Sequence, residues 1–142
     1  TNFVNDCTRN KIRNIVLPYL KKEFNPNIIQ TFCRLSEVIE EDDLFLYKMV
    51  QKCYNEISLY EEKNKVILDL KKFNMQDDVI KKRLILYSIN KIMGSVQNIE
   101  KVNIDDIVKL CENNIGNKFL MPNKNVKVFV NKGKVEFEKI EI

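Results

Sequence analysis

The 142-residue sequence contains no histidine and no tryptophan, and only three glycines, three prolines and four cysteines. Without imidazole the common Ser-His and Cys-His nucleophile pairs cannot be assembled, because the hydroxyl or thiol lacks its usual base. A zinc site is disfavoured as well, since Cys7, Cys33, Cys53 and Cys111 are scattered, with no C-x-x-C pair. Isolated cysteines of this kind are expected as reduced, partly buried thiols rather than a disulfide framework. Gly94, Gly116 and Gly133 all stand more than ten residues apart. The chain therefore carries neither a P-loop nor a dinucleotide fingerprint, both of which need several glycines in one short loop. No apolar run approaches the roughly 20 residues that span a bilayer, and no basic-then-apolar leader is visible. Neither a membrane role nor secretion is expected.

What is present is an ordinary globular composition, 44% hydrophobic and 31% charged, long enough for one main domain with its own core. The formal net charge is only +4, but it is unevenly placed. Residues 1–34 carry six basic and two acidic groups, 35–62 two and eight, and 63–91 eight and three. Two basic blocks thus flank an acidic one, a pattern compatible with an RNA-facing surface. Within the acidic block, Glu40, Glu41, Asp42 and Asp43 lack the alternating ligands of a calcium loop and read as a solvated helix face.

The first helix is announced by Ile12, Ile15, Val16, Tyr19 and Leu20, spaced to share one stripe. Asn5 or Asp6 can cap it, Lys21 and Lys22 suit its C-terminal dipole, and Pro26 predicts its end. Pro18 falls inside and predicts a kink between Asn14 and Pro18. From Asn27 to about Tyr60 the apolar spacing stays helical, as one long helix or two broken around Glu40 to Asp43; the lack of glycine and proline favours one continuous or slightly bent helix. Lys65–Asn74 reads as a short extended segment. A central helix is predicted from Asn74 to Met93, closed by Gly94, and another from Ile104 to Asn114, capped by Asn103 and closed by Gly116, with Ile104, Ile107, Val108, Cys111 and Ile115 facing inward. Beyond it Val126, Val128 and Val130 alternate with polar or aromatic residues, and Val135, Phe137 and Ile140 resume after Asn131–Gly133. That spacing predicts a hairpin.

Two groups of residues are candidates for recognition. Arg9 and Arg13, one helical turn apart with Asn10 beside them, can hold phosphate or carboxylate through forked hydrogen bonds; the alternative is an ordinary exposed arginine pair. Lys71, Lys72, Lys81, Lys82 and Arg83, joined by Arg34, can neutralise RNA phosphates, although a solvated charge run has the same composition. Tyr47, Tyr54, Tyr60 and Tyr87 can stack on unpaired bases, but their places within apolar stripes favour core packing.

The run Asn2, Asp6, Arg9, Asn10, Ile12, Arg13 and Pro18, in the form TNxxxDxxRNxIRxxxxP, resembles a segment of bacterial tRNA(Ile)-lysidine synthetases, of the PP-loop ATPase family, where the chain leaves the catalytic domain and enters the tRNA-binding region. The helical middle, the basic KKRLIL helix and GNKFLMPNKNVKVFV extend the likeness over essentially the whole chain. The resemblance implies a mainly α (α+β) fold: an interdomain helix over 1–25, a helical substrate-binding domain over 26–116 and a β-hairpin over 117–142. It implies a cytoplasmic parent enzyme that uses ATP and magnesium to attach lysine to the wobble cytidine of a CAU anticodon. The family's SGGxDS nucleotide loop is absent, so the chain is expected to be a catalytically inactive piece of a longer protein that binds no cofactor or metal. Its implied partners are tRNA(Ile) and the catalytic PP-loop domain, and the likeness leaves room for a homodimer. Arg9, Asn10, Arg13 and Asp6 would border the cleft between domains. The rival reading is a helical protein-interaction module that uses the acidic block and an apolar face.

Overall fold

The computed structural model describes residues 7–140, which fall into two compact units, Thr1–Phe45 and Leu46–Ile142. In the first unit, helix α1 (Thr8–Lys11) passes into a π turn (Ile12–Val16) and then helix α2 (Leu17–Glu23). Pro18 has no N–H to offer the preceding turn. The backbone widens just before it, with the Leu17 N–H donating to the Ile12 carbonyl five residues back. The expected distortion thus takes the form of a π turn that begins two residues earlier than Asn14. The helix starts at Thr8 with Cys7 in the capping position and no side-chain cap bond; Asn5 and Asp6 lie outside the described residues. Before Pro26 the Phe24 and Asn25 N–H groups both close on the Leu20 carbonyl, at 3.1 and 3.0 Å. The Asn25 side chain then accepts from the Asn27 N–H at 2.8 Å, a local turn that ends α2 where the proline requires it.

Helix α3 (Ile28–Ile57) is continuous over 30 residues, as the lack of glycine and proline implied. It stops three residues short of Tyr60. Ser58–Glu62 instead forms strand β1, which pairs with β2 (Lys65–Asp69) through a bulge between Ser58 and Tyr60. Strand pairing here overrides a sequence whose spacing is still helical. At the end of β2 the Asp69 carboxylate accepts from the Lys72 N–H at 2.9 Å and starts a short helix, α4 (Leu70–Asn74). The extended stretch therefore ends at Asp69, not Asn74.

Asn74 closes α4 instead of opening the next helix, and its amide donates to the Cys111 carbonyl at 2.9 Å. Helix α5 (Asp78–Met93) starts after Asp77 and ends, as predicted, on Gly94 at φ 74°. Helix α6 (Lys101–Glu112) begins earlier than expected. Asn103 is not its cap but the third residue of a capping box, accepting from the Glu100 N–H at 2.9 Å. At its far end the left-handed residue is Asn114, φ 47°, rather than Gly116, and Ile115 is exposed rather than inward.

Strands β3 (Phe119–Asn123), β4 (Val126–Asn131) and β5 (Lys134–Lys139) complete an antiparallel sheet in the order β1-β2-β5-β4-β3. The predicted hairpin is β4–β5, turned by Lys132 and Gly133 with φ 46° and 75°. Two successive positive φ values make the type I′ geometry that matches strand twist. It is no appendage: β5 pairs with β2 over Lys65–Asp69, so the hairpin is the middle of the sheet. Val66, Leu68, Val126, Val128, Val130, Val135 and Phe137 form one buried face. Helices α4, α5 and α6 contact the strands there, adding Phe73, Leu84, Ile85, Ile89 and Ile107 to the core. Full burial of each such side chain contributes about 1.5–3 kcal/mol.

Candidate nucleic-acid interface

In the first unit Arg9 lies on α1 and Arg13 on the π turn, both exposed, while Asn10 is half-buried. Four residues apart on a solvent-facing stretch, the two guanidiniums are free of the core and able to meet an anion. Asp6, grouped with them in sequence, lies outside the described residues. Arg34 is exposed on α3. The same unit leaves its apolar stripe in solvent: Ile12, Ile15, Val16 and Tyr19 are 43–58% exposed, and so on α3 are Phe32, Leu35, Val38 and Ile39 at 48–56%.

The lysine group of the second unit is divided by the fold. Lys71 and Lys72 are exposed on α4, with the Lys72 ammonium 3.4 Å from the Glu56 carbonyl. Lys81 is buried, and its ammonium lies 2.7 Å from Glu112 and 3.5 Å from Asp78. The Glu112 hydrogen bond pushes the Lys81 pKa above its ordinary value against the opposing effect of burial. Lys82 reaches Asp105 at 3.1 Å. Both lysines thus pin α5 to α6, and Lys81, grouped in sequence with the exposed lysines, is buried instead of standing on the surface. With its side chain 8% exposed and its ammonium held by Glu112, Lys81 offers little surface to an anion. Arg83 points elsewhere and is half-buried in a hollow with Tyr47, Leu86, Tyr87 and Val96.

The tyrosines divide in the same way. Tyr54 is buried in contact with Tyr87, ring centres 4.9 Å apart, and Tyr87 lies 6.0 Å from Tyr47. The Tyr54 hydroxyl donates to Glu61 at 2.8 Å, and Lys91 binds the other carboxylate oxygen at 3.0 Å. The Lys91 bond is the larger influence holding Glu61 below the usual carboxylate range, followed by the Tyr54 bond. Tyr54 therefore serves the core. Tyr60 is exposed on β1.

Sequence reasoning overlooked a further concentration of cations and aromatic faces on β3 and β4. Phe119 and Phe129 are cross-strand partners, and the Lys127 ammonium lies 4.8 and 5.1 Å from their ring centres. Alternation signalled it weakly: Lys127 and Phe129 occupy the register opposite the buried valines. Only the pairing with β3 brings Phe119 alongside.

Gly94 ends a helix and Gly133 turns a hairpin, so neither belongs to a phosphate-cradling loop. Among the described residues no three Asp, Glu, Cys or His side chains gather as metal ligands. No described helix is long and apolar enough to cross a membrane.

No family model matches the chain. It is 34% identical over all 142 residues to the tRNA(Ile)-lysidine synthase of Clostridioides difficile, of which that match is 31%. The enzyme of the same name from Clostridium acetobutylicum is 32% identical over 95% of the chain and 29% of its own length. That from Caldanaerobacter subterraneus is 28% identical over 86% of the chain and 26% of its own length. The chain spans less than a third of the length of these relatives. Along its whole length, then, it is related to tRNA(Ile)-lysidine synthases and corresponds to a stretch of about three-tenths of such a protein.

Proposed function

We propose that this chain is the tRNA-binding region of a tRNA(Ile)-lysidine synthase. The observation that carries the reading is similarity over the full 142 residues to proteins of that name. In the parent enzyme, ATP and magnesium would act in a separate PP-loop domain, where lysine is joined to the wobble cytidine of a CAU anticodon in the cytoplasm. This stretch would hold and aim the tRNA, a task of orientation rather than bond chemistry, and alone would hydrolyse no ATP. The first helix would run between domains, with Arg9, Asn10 and Arg13 at the cleft. Its uncovered apolar stripe, Ile12 to Tyr19, supports that role, since a neighbouring domain or a second copy in a homodimer would bury it. Lys71, Lys72, Lys82, Arg34 and Arg83 are the phosphate contacts of the proposal, Lys81 being buried.

The test is titration of the chain with tRNA bearing a CAU anticodon across a salt series. Each phosphate neutralised contributes about 0.7–0.9 to the slope of log affinity against log salt. The double variant Lys71→Gln, Lys72→Gln should therefore lower the slope by about 1.5. Absence of tRNA binding at low salt defeats the reading. A helical protein-interaction module is favoured by one observation, the exposed Phe32, Leu35, Val38 and Ile39 beside the exposed acids Glu40–Asp43. That reading predicts salt-insensitive association with a protein and no affinity for tRNA.

A further inference from the structure

The sheet face opposite the buried valines carries a groove of about 580 Å³, within the roughly 300–1,000 Å³ of small-molecule sites. Its walls include Lys118, Phe119, Lys127, Phe129, Asn131 and Lys132, and none of its lining residues is acidic among those described. Phe119 is 54% exposed, so most of its ring is not needed by the core. The acids nearest in register are Glu136, opposite Phe129, and Glu138, opposite Lys127. Both carboxylates are bound by Lys65 at 2.7 Å, which offsets their repulsion of an incoming anion.

Flat aromatic faces, ammonium groups on flexible stems and side-chain amides at the rim match one ligand chemistry closely. A nucleotide has a π face for the ring, a phosphate for the lysine and hydrogen-bonding edges for the amides. An acidic peptide would use the lysines but leave Phe119 and Phe129 idle. A duplex stem would present phosphates but keep its bases stacked on one another. We propose that this groove binds an unpaired nucleotide of RNA, its base stacked on Phe119 beside Phe129 and its phosphate held by Lys118, Lys127 and Lys132. Lys127, which lies over both rings, exchanges its cation–π contacts for the phosphate as the base enters. The proposal rests on the tRNA-binding reading and deepens it, adding base stacking to a phosphate-only interface.

The experiment compares the chain with Phe119→Leu, Phe119→Tyr and Lys127→Gln variants, each checked for an unchanged thermal transition. The probes are a labelled single-stranded RNA heptamer, its abasic counterpart of equal charge, and intact tRNA. Stacking predicts that Phe119→Leu weakens heptamer binding about fivefold or more, that Phe119→Tyr restores it to within about twofold, and that the abasic heptamer binds as poorly as the leucine variant binds the intact one. Lys127→Gln should reduce the salt slope by about 0.7. Equal binding of intact and abasic heptamers, or an unaffected Phe119→Leu variant, overturns the groove proposal while tRNA binding upholds the broader reading. Failure to bind both heptamer and tRNA overturns both.

Discussion

Replacing Lys81 and replacing its partner Glu112 should have unequal consequences, because the two ends of this ion pair sit in different surroundings. The Lys81 side chain is 8% exposed and that of Glu112 is 44% exposed. Breaking a fully buried pair by removing one partner costs about 3–5 kcal/mol, and solvent reduces this wherever the stranded charge can hydrate. In Lys81→Met the apolar stem is retained and the remaining carboxylate hydrates, so the expected loss is about 1 kcal/mol. In Glu112→Gln the ammonium stays buried with Asp78 at 3.5 Å, itself 72% exposed, as its remaining ion-pair partner among the described residues, and the expected loss is about 2 kcal/mol. At about 3 °C per kcal/mol for a protein of this size, the melting temperatures should fall by about 3 and 6 °C. Thermal unfolding followed by circular dichroism measures both. Titration of Lys81→Met with tRNA should match the unsubstituted chain. A melting temperature left unchanged by Lys81→Met, together with severalfold weaker tRNA binding, would refute the structural assignment of this lysine. Equal losses for the two variants would refute the asymmetry.

Three further outcomes are expected. Gly133→Ala meets no atom within 4 Å of the added carbon, so its cost is the strain of a side chain at φ 75°, about 1 kcal/mol; chemical denaturation with no loss would remove the type I′ assignment. Cys7 and Cys33 are exposed, whereas burial pushes the Cys111 thiol up to about 12 and also raises Cys53. Native protein at pH 8 should therefore be alkylated quickly at the first two alone, and rapid labelling of Cys111 by mass spectrometry would contradict its packing. Glu61 is held below its ordinary value by Lys91 and then Tyr54, so its stabilisation is complete above about pH 4.5 and is lost as pH falls through the lower folded value. Glu61→Gln should be less stable at neutral pH and should lose less stability on acidification below pH 4.5; parallel stability curves for the two proteins would dismiss the network.

Much of the architecture was legible in residue spacing. The helical period through Ile57, the stop at Pro26, the Gly94 terminus and the Asn-Lys-Gly turn each follow from local backbone chemistry, which acts over a few residues and is therefore written locally. The likeness to tRNA(Ile)-lysidine synthases was most specific in one short run, Asn2 to Pro18, and extended more loosely over the rest of the chain. Strand β1 was missed because Leu59 and Tyr60 prolong a helical period, and only the β2 edge, brought close by the fold, makes a strand of them. Lysines are the other instance. Neighbours in sequence, Lys81 and Lys82 resemble Lys71 and Lys72 as surface charge, but the approach of α6 places Glu112 and Asp105 against them.

The sequence by itself determined where the helices run and how the hairpin turns, because capping, proline geometry and side-chain period depend on near neighbours. Tertiary structure alone decided which cations are available to a ligand and which aromatic rings face a groove. Those properties depend on charges and strands far apart in the chain, such as Lys65 with Glu136 and Phe119 with Phe129, and long-range pairing leaves no mark on the residues that flank each partner.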